Sequence, residues 1–174
     1  MDGVYHRPKG TAPMNKRMFN FSEIQRRVVP RYLAWTGIAN FLWEILQLPL
    51  YTLWKDDRLP AIAYAVVHCT GGDVLIAASC LALAMLVCGA QQWPSKRYWT
   101  VAGVAVIFGL AYTVFSEWNN TVIARTWAYS TLMPTFWGIG LSPIAQWLLI
   151  PSVVFWRLSQ QIAPTLPPAT HPAP

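Results

Sequence analysis

Four ionisable side chains of this sequence lie within strongly apolar stretches, and their chemical types suit proton transfer. Carboxylic acids and imidazole are the usual general acids and bases of proteins, and each costs a few kcal/mol to place inside a membrane helix, which makes such a residue a functional candidate. We expect Glu44 or Asp73 to act as an acid, with His68 as its proton partner. The candidate catalytic residues are Glu44, His68, Asp73 and Glu117.

Polar and aromatic side chains at helical spacing would surround these groups. The residues Asn40, Glu44, Gln47 and Tyr51 follow i, i+4, i+7 and i+11 spacing, which places them in a stripe about 60° wide on one helix face. Further along the chain, Ser142 and Gln146 are four residues apart, and Thr113, Glu117 and Asn120 share one face. The candidate ligand-binding residues are Asn40, Gln47, Tyr51, Asn120, Trp127, Tyr129 and Gln146.

A purely structural role is the alternative for several of these residues. The side chains of Asn40, Gln47, Ser142 and Gln146 can bridge helices by hydrogen bonds. Glu117 falls near the end of its apolar stretch, where solvation or a salt bridge to Arg125 would satisfy it.

The spacing of the ionisable residues predicts no metal site. None of the candidate ligands has the i, i+3 or i+4 partner that is typical of helical metal motifs, and the sequence leaves the cofactor unknown. An ideal helix places His68 and Asp73 about 140° apart, so the two would flank one cavity without both pointing at its centre. The pair Gly71 and Gly72 between them could loosen this constraint.

Composition indicates that lipid surrounds these residues. The chain has 174 residues, of which 55% are hydrophobic and 11% charged, against about 25% charged in soluble domains. A helix needs about 20 apolar residues to cross a bilayer. We therefore predict an all-α, polytopic bundle of four transmembrane helices, with spans at about 32–54, 61–86, 98–118 and 136–157.

The remaining segments are predicted from their own composition. Residues 1–20 are predicted to be a disordered basic segment, residues 21–157 the transmembrane domain and residues 158–174 a disordered proline-rich tail. Ser22 and Gln25 would form a capping box that starts a short surface helix ending at Pro30, or this region is an unstructured basic anchor. In the last span, Pro143 and Pro151 leave open whether residues 136–143 are helix or a re-entrant loop.

The distribution of basic residues predicts the orientation. Ten of the 13 Lys and Arg residues would lie on the side of the N-terminus and three on the other, so both termini are expected in the cytoplasm. The polar residues then share the non-cytoplasmic half, around a cavity that opens outward or sideways, with Glu117, Trp127 and Tyr129 at its mouth. No soluble basic domain remains that would bind nucleic acid.

Several short phrases of the sequence resemble a group of small proteobacterial four-span integral membrane proteins. The resemblance covers roughly residues 30–157. It implies four spans and a bacterial inner membrane, and it implies no activity. The phrases are Glu44–Tyr51, His68–Asp73, Ser116–Asn119, Trp127–Tyr129, Met133–Pro134 and Gly140–Pro143 followed by Gln146–Trp147.

Three classes of function are consistent with these observations. The first is a membrane-embedded enzyme or binding protein for a lipid-like or isoprenoid molecule. The second is a small proton- or ion-coupled transporter, which needs a homo-oligomer because four short helices enclose little volume. The third is an accessory or assembly subunit of a larger membrane complex, in which the polar stripes join helices.

Overall fold

The structure, a computed structural model, describes residues 22–56 and 58–162, and these are mostly helical. The expected disorder of residues 1–20 and of residues 163–174 lies outside the described residues. The helices are α1 (Glu23–Gln47), α2 (Leu53–Asp56), α3 (Leu59–Val87), α4 (Tyr98–Trp118) and α5 (Leu141–Ile162). A 3-10 turn at Leu48–Leu50, a π-helical turn at Asn119–Ile123 and a hairpin of β1 (Thr135–Phe136) and β2 (Ile139–Gly140) complete the described chain.

Three of the helices are long and apolar enough to cross a membrane. They are Leu59–Val87, the continuous stretch Tyr98–Ile123 and Leu141–Ile162. Their outward surfaces carry large apolar side chains, such as Leu75 at 70% and Leu86 at 71% exposure. Such a surface suits hydrocarbon rather than water.

The start of α1 confirms the capping box but not the proline boundary. The Ser22 hydroxyl accepts a hydrogen bond from the Gln25 backbone at 3.3 Å, and the Gln25 side chain accepts one from the Ser22 backbone at 2.8 Å. The expectation that Pro30 ends a separate surface helix is wrong, because Pro30 lies inside one continuous helix. An interior proline removes one backbone donor and disfavours a helix in water, but membrane helices tolerate it when neighbouring groups satisfy the freed backbone.

The end of α1 comes earlier than the sequence predicted. We expected the first span to reach residue 54, but α1 ends at Gln47 and a 3-10 turn follows. Pro49 donates no backbone hydrogen bond, although Leu48 before it is still helical, and the chain becomes extended only at Tyr51. Tyr51 therefore does not continue the helical stripe.

The last helix begins later than predicted and also ends later. Residues 135–140 form the hairpin instead of helix or re-entrant loop, with Thr135 paired to Gly140. Its two turn residues, Trp137 and Gly138, both have positive φ, as a type I′ hairpin turn requires. The helix α5 then continues to Ile162, so residues 158–162 belong to it and not to a disordered tail.

The four long helices pack as a bundle in which α1 contacts α3 and α5, and α4 contacts the same two helices. At one end, the Gln25 side chain donates to the Gln91 carbonyl at 3.2 Å and Tyr98 donates to the Phe155 carbonyl at 2.6 Å. We call this the basic end, because Arg26, Arg27, Arg31, Lys96, Arg97 and Arg157 lie on or near it.

A segment that we call the cap, residues 119–140, closes the opposite end. Its backbone pairs with the chain that follows α1, through an isolated bridge between Tyr51 and Tyr129. The Thr52 amide donates to the Ala128 carbonyl at 3.0 Å, and the Ser130 amide donates to the Leu50 carbonyl at 2.9 Å. The cap thus folds back onto the bundle.

Candidate functional site

A hydrogen-bonded network centred on Gln146 joins three helices. The Gln146 side-chain nitrogen on α5 lies 2.9 Å from Oδ1 of Asn40 and 3.1 Å from Oε1 of Glu44, both on α1. The same nitrogen lies 3.2 Å from Oδ2 of Asp73 on α3. An amide has two N–H protons, so it satisfies at most two of the three oxygens at once. Two carboxyl oxygens and the Asn40 amide oxygen therefore share two N–H protons.

Gln47 extends this network toward the cap. Its side-chain nitrogen donates to Oε1 of Glu44 at 2.8 Å and to Oε1 of Gln146 at 3.3 Å. Its oxygen accepts from the Ser142 hydroxyl at 2.8 Å, and that hydroxyl accepts from the Trp43 indole N–H at 3.1 Å. An uninterrupted series of hydrogen bonds thus runs from Asp73 through Gln146 and Gln47 to Trp43. We call these side chains, with Asn40 and Glu44, the Gln146 network.

The local reason for this convergence is the helical stripe. Asn40, Glu44 and Gln47 face inward along α1, and Gln146 projects from the facing side of α5 with only 2% of its surface exposed. Asp73 is 8% exposed on α3. Because buried polar groups need hydrogen-bond partners, the polar side chains of α1 and α5 bond to one another.

A second polar group lies beneath the cap. Glu117, near the end of α4, is 6% exposed and accepts a hydrogen bond from the Tyr129 hydroxyl. That hydroxyl also accepts from the Gly140 backbone at 2.9 Å. Burial, together with the nearby Glu117 carboxylate, raises the pKa of Tyr129 above its ordinary value, so its hydroxyl stays protonated as a donor. The Trp127 indole nitrogen is buried beside Glu117 without a hydrogen bond of regular geometry.

The three acids lie close enough to influence one another. Glu44 interacts electrostatically with Asp73 and with Glu117, and Tyr51 lies between the two groups of polar residues. Within residues 22–56 and 58–162, no basic side chain forms an ion pair with them, and Glu117 contacts Tyr129 rather than the exposed Arg125. The site is therefore rich in carboxyl groups and lacks a neutralising cation among the described residues.

Two of the predicted site residues lie apart from this cluster. His68 is exposed on the outside of α3 and stacks on Tyr64, with 5.5 Å between ring centroids. The helix continues unbroken through the paired glycines, so the separation of about 140° from Asp73 persists. Asn120 bonds locally, with its nitrogen donating to the Ser116 carbonyl at 2.8 Å and its oxygen accepting from the Thr126 hydroxyl at 2.7 Å.

A small groove lies beside the Gln146 network at the seam between α1 and α5. Its volume is about 220 Å³, and it is lined by Trp43, Leu46, Gln47, Leu50 and Ser142. Gln47 and Ser142 form a polar floor, and the other side chains form an apolar rim on which Leu46 is 77% exposed. The groove therefore connects the network with the side of the bundle.

Trp43 contributes to the network and is not among the candidate residues that the sequence predicts. A tryptophan in mid-span has an indole N–H that needs a partner, and this general requirement is the signal that could have identified it. Within the described residues, no group of three or more His, Cys, Asp or Glu side chains is placed to hold a metal ion. Comparison of the chain with family models, curated proteins and solved structures gives no match.

Proposed function

We propose that this is a four-span protein of the bacterial inner membrane that binds a lipid-like molecule and uses Glu44 and Asp73 for proton chemistry on it. The observation that supports this most is the convergence of both carboxyl groups on the Gln146 amide nitrogen, within 3.2 Å, without a basic partner among the described residues. Ionisable groups inside membrane helices are costly and are usually retained for function.

The length and surface of α1 support its assignment as a membrane span in addition to the three described above. Beyond Arg31, residues 32–47 of α1 extend about 24 Å at 1.5 Å per residue, and with the 3-10 turn Leu48–Leu50 they approach the roughly 30 Å of bilayer hydrocarbon. Its polar stripe faces the bundle, whereas Ile38 and Leu42 on its outer side are each 54% exposed. The polar stripe and the charged first turns, with Glu23, Arg26, Arg27 and Arg31, lower the hydropathy of α1, whereas the outer side of residues 32–47 is apolar.

Charge supports an orientation with the basic end in the cytoplasm. Six described cations lie on or near that end, and Lys55, Arg58 and Arg125 lie near the cap. Under the positive-inside rule the cap then faces the periplasm, and both termini lie in the cytoplasm.

The proposed proton chemistry depends on how many N–H donors the Gln146 network offers to its carboxyl groups. Three oxygens share the two N–H protons of the Gln146 amide, so protonation of one carboxyl group would supply a further donor, and the pair would then offer an acid and a base to a bound molecule. The amides of Gln47 and Gln146 hold the carboxyl groups in place. A substrate that reaches a site within the apolar belt from the side is itself apolar over most of its length.

The test is retention of a small molecule by purified protein. We expect mass spectrometry of extracts from the wild-type protein to detect a bound lipid-like molecule at stoichiometric level. The variants Glu44→Gln and Asp73→Asn should insert normally but lose most of it, because each removes a titratable oxygen. Glu23→Gln, the same substitution at an exposed position of α1, serves as the control. Wild-type retention by both site variants would contradict the proposal.

A proton- or ion-coupled transporter is the second candidate, favoured by the succession of Glu117, Glu44 and Asp73 from the cap inward. This function requires a homo-oligomer, so a monomer in native lipid would contradict it. Stoichiometric co-purification with a larger complex would instead indicate an accessory subunit.

A further inference from the structure

The side chains that line the groove between α1 and α5 favour a ligand of one chemical class. We propose that it binds the hydroxyl end of a long-chain alcohol, whose apolar chain remains in the bilayer. This inference rests on the proposed binding of a lipid-like molecule and names its class and its place of entry.

The direction of access is set by the cap. Residues 128–130 pair with residues 50–52 across the end of the bundle, so that end is covered. Trp43 and Leu46 on α1 and Ser142 on α5 line a groove that opens on the side of the bundle instead. A molecule dissolved in the surrounding lipid therefore reaches the network without passing the cap.

The size of the groove limits the part of a ligand that it holds. Its volume of about 220 Å³ is below the roughly 300 to 1,000 Å³ of pockets that enclose drug-sized ligands. It therefore accommodates the end of a long molecule and not the whole of it. The exposed Leu46 on its rim provides an apolar surface along which a hydrocarbon chain continues into the bilayer.

The hydrogen bonds that the polar side chains of the groove already make indicate which chemical group of a ligand can bind there. The Ser142 hydroxyl uses its proton on Gln47 and accepts from Trp43, which leaves one lone pair. The Gln47 nitrogen uses both protons within the Gln146 network, and among the described residues its oxygen accepts only from Ser142, which leaves another lone pair. All donors of Trp43, Gln47 and Ser142 are thus engaged, and only acceptors are free.

A ligand that fits these free acceptors must be a donor. Carbonyl, ester and ionised phosphate heads offer acceptors only and would leave the lone pairs of Gln47 and Ser142 unmatched. An ammonium head would donate, but a charged group at this depth is costly. A neutral hydroxyl satisfies both requirements.

Photolabelling tests this inference on the full chain in nanodiscs of phosphatidylcholine, a lipid without a hydroxyl donor. The probe is a long-chain alcohol with a photoreactive diazirine near its hydroxyl. We expect labelled peptides from the groove, residues 43–50 or 142. The unlabelled alcohol should compete about fivefold better than its methyl ether, which has the same chain but no donor, because one hydrogen bond contributes about 1 kcal/mol.

Two tryptophan variants provide the structural control. Leu46→Trp fills the rim of the groove and should lower labelling severalfold, whereas Leu75→Trp, at an exposed position of α3, should leave it unchanged. Equal competition by the methyl ether, or unchanged labelling of Leu46→Trp, would overturn the inference.

The labelling experiment can fail or succeed independently of the test of the proposed function. It uses an added probe, whereas the other test measures a molecule that the protein retains through purification. Groove labelling with the expected preference, together with unchanged retention in Glu44→Gln and Asp73→Asn, would support the alcohol site and reject the proton chemistry. Loss of retention in those variants without groove labelling would reject the alcohol site alone.

Discussion

Gln146 is the residue on which the site depends, because its amide lies between oxygens from two other helices. Asn40, Glu44 and Asp73 each approach its nitrogen within hydrogen-bond distance. Buried acceptors that lose their donor cost more than the net gain of the hydrogen bond itself. The amide is therefore a structural requirement for keeping two carboxyl groups together.

We predict that Gln146→Ala lowers the free energy of unfolding by about 1 to 3 kcal/mol, since it leaves buried oxygens without a donor. Thermal unfolding in mild detergent measures the effect. Gln160→Ala, at an exposed position of the same helix, should change stability by less than about 0.5 kcal/mol. Equal losses in the two variants would indicate that the network contributes no more than the surface does.

At the residue scale, the sequence identified most of the cluster. Helical spacing correctly placed Asn40, Glu44 and Gln47 on one inward face, because periodicity is a property of a single helix. It did not reveal that His68 lies on the outside, since spacing gives the angle between His68 and Asp73 but not which of them faces protein.

At the scale of the elements, the contact between α4 and α5 depends on a glycine. A Cβ atom at Gly109 would lie 2.4 Å from Cε3 of the Trp147 ring, so only glycine permits this packing. Trp147 is 5% exposed and also lies beside Asp73. The close approach of the two helices therefore helps to position the Gln146 network.

We predict that Gly109→Ala destabilises the protein by about 1 to 3 kcal/mol, because the indole must shift in a packed interior. Gly103→Ala on the same helix is the matched control, since a Cβ there meets nothing within 4 Å and alanine favours the helix. A difference in melting temperature between the two variants measures the effect. Similar melting temperatures would show that Trp147 relocates without cost.

The sequence predicted the ends of the helices less well than their existence. Pro30 lies within a helix whereas Pro49 comes just after the end of one. The two differ in their tertiary partners, because the chain beyond Pro49 pairs with the cap, which satisfies the freed backbone groups. Local sequence does not contain that information.

For the whole molecule, orientation is the property that determines where the site faces. We predict that a reporter active only in the periplasm gives a signal when inserted after Arg125 in the cap, and none when fused at either terminus. A fluorescent reporter that folds only in the cytoplasm should give the opposite pattern at the termini. If the reporters place the two termini on opposite sides of the membrane, the four-span arrangement is contradicted.

The sequence by itself determined that the chain forms long apolar helices with polar residues along particular faces, since hydropathy and periodicity are local properties. Only the tertiary structure decided which polar residues meet. Gln146 and Asn40 are 106 positions apart in the chain, and their contact depends on how α1 and α5 are rotated and docked. Packing between distant segments sets that rotation. The same packing leaves His68 outside, folds the cap over the bundle and forms the groove beside the acids.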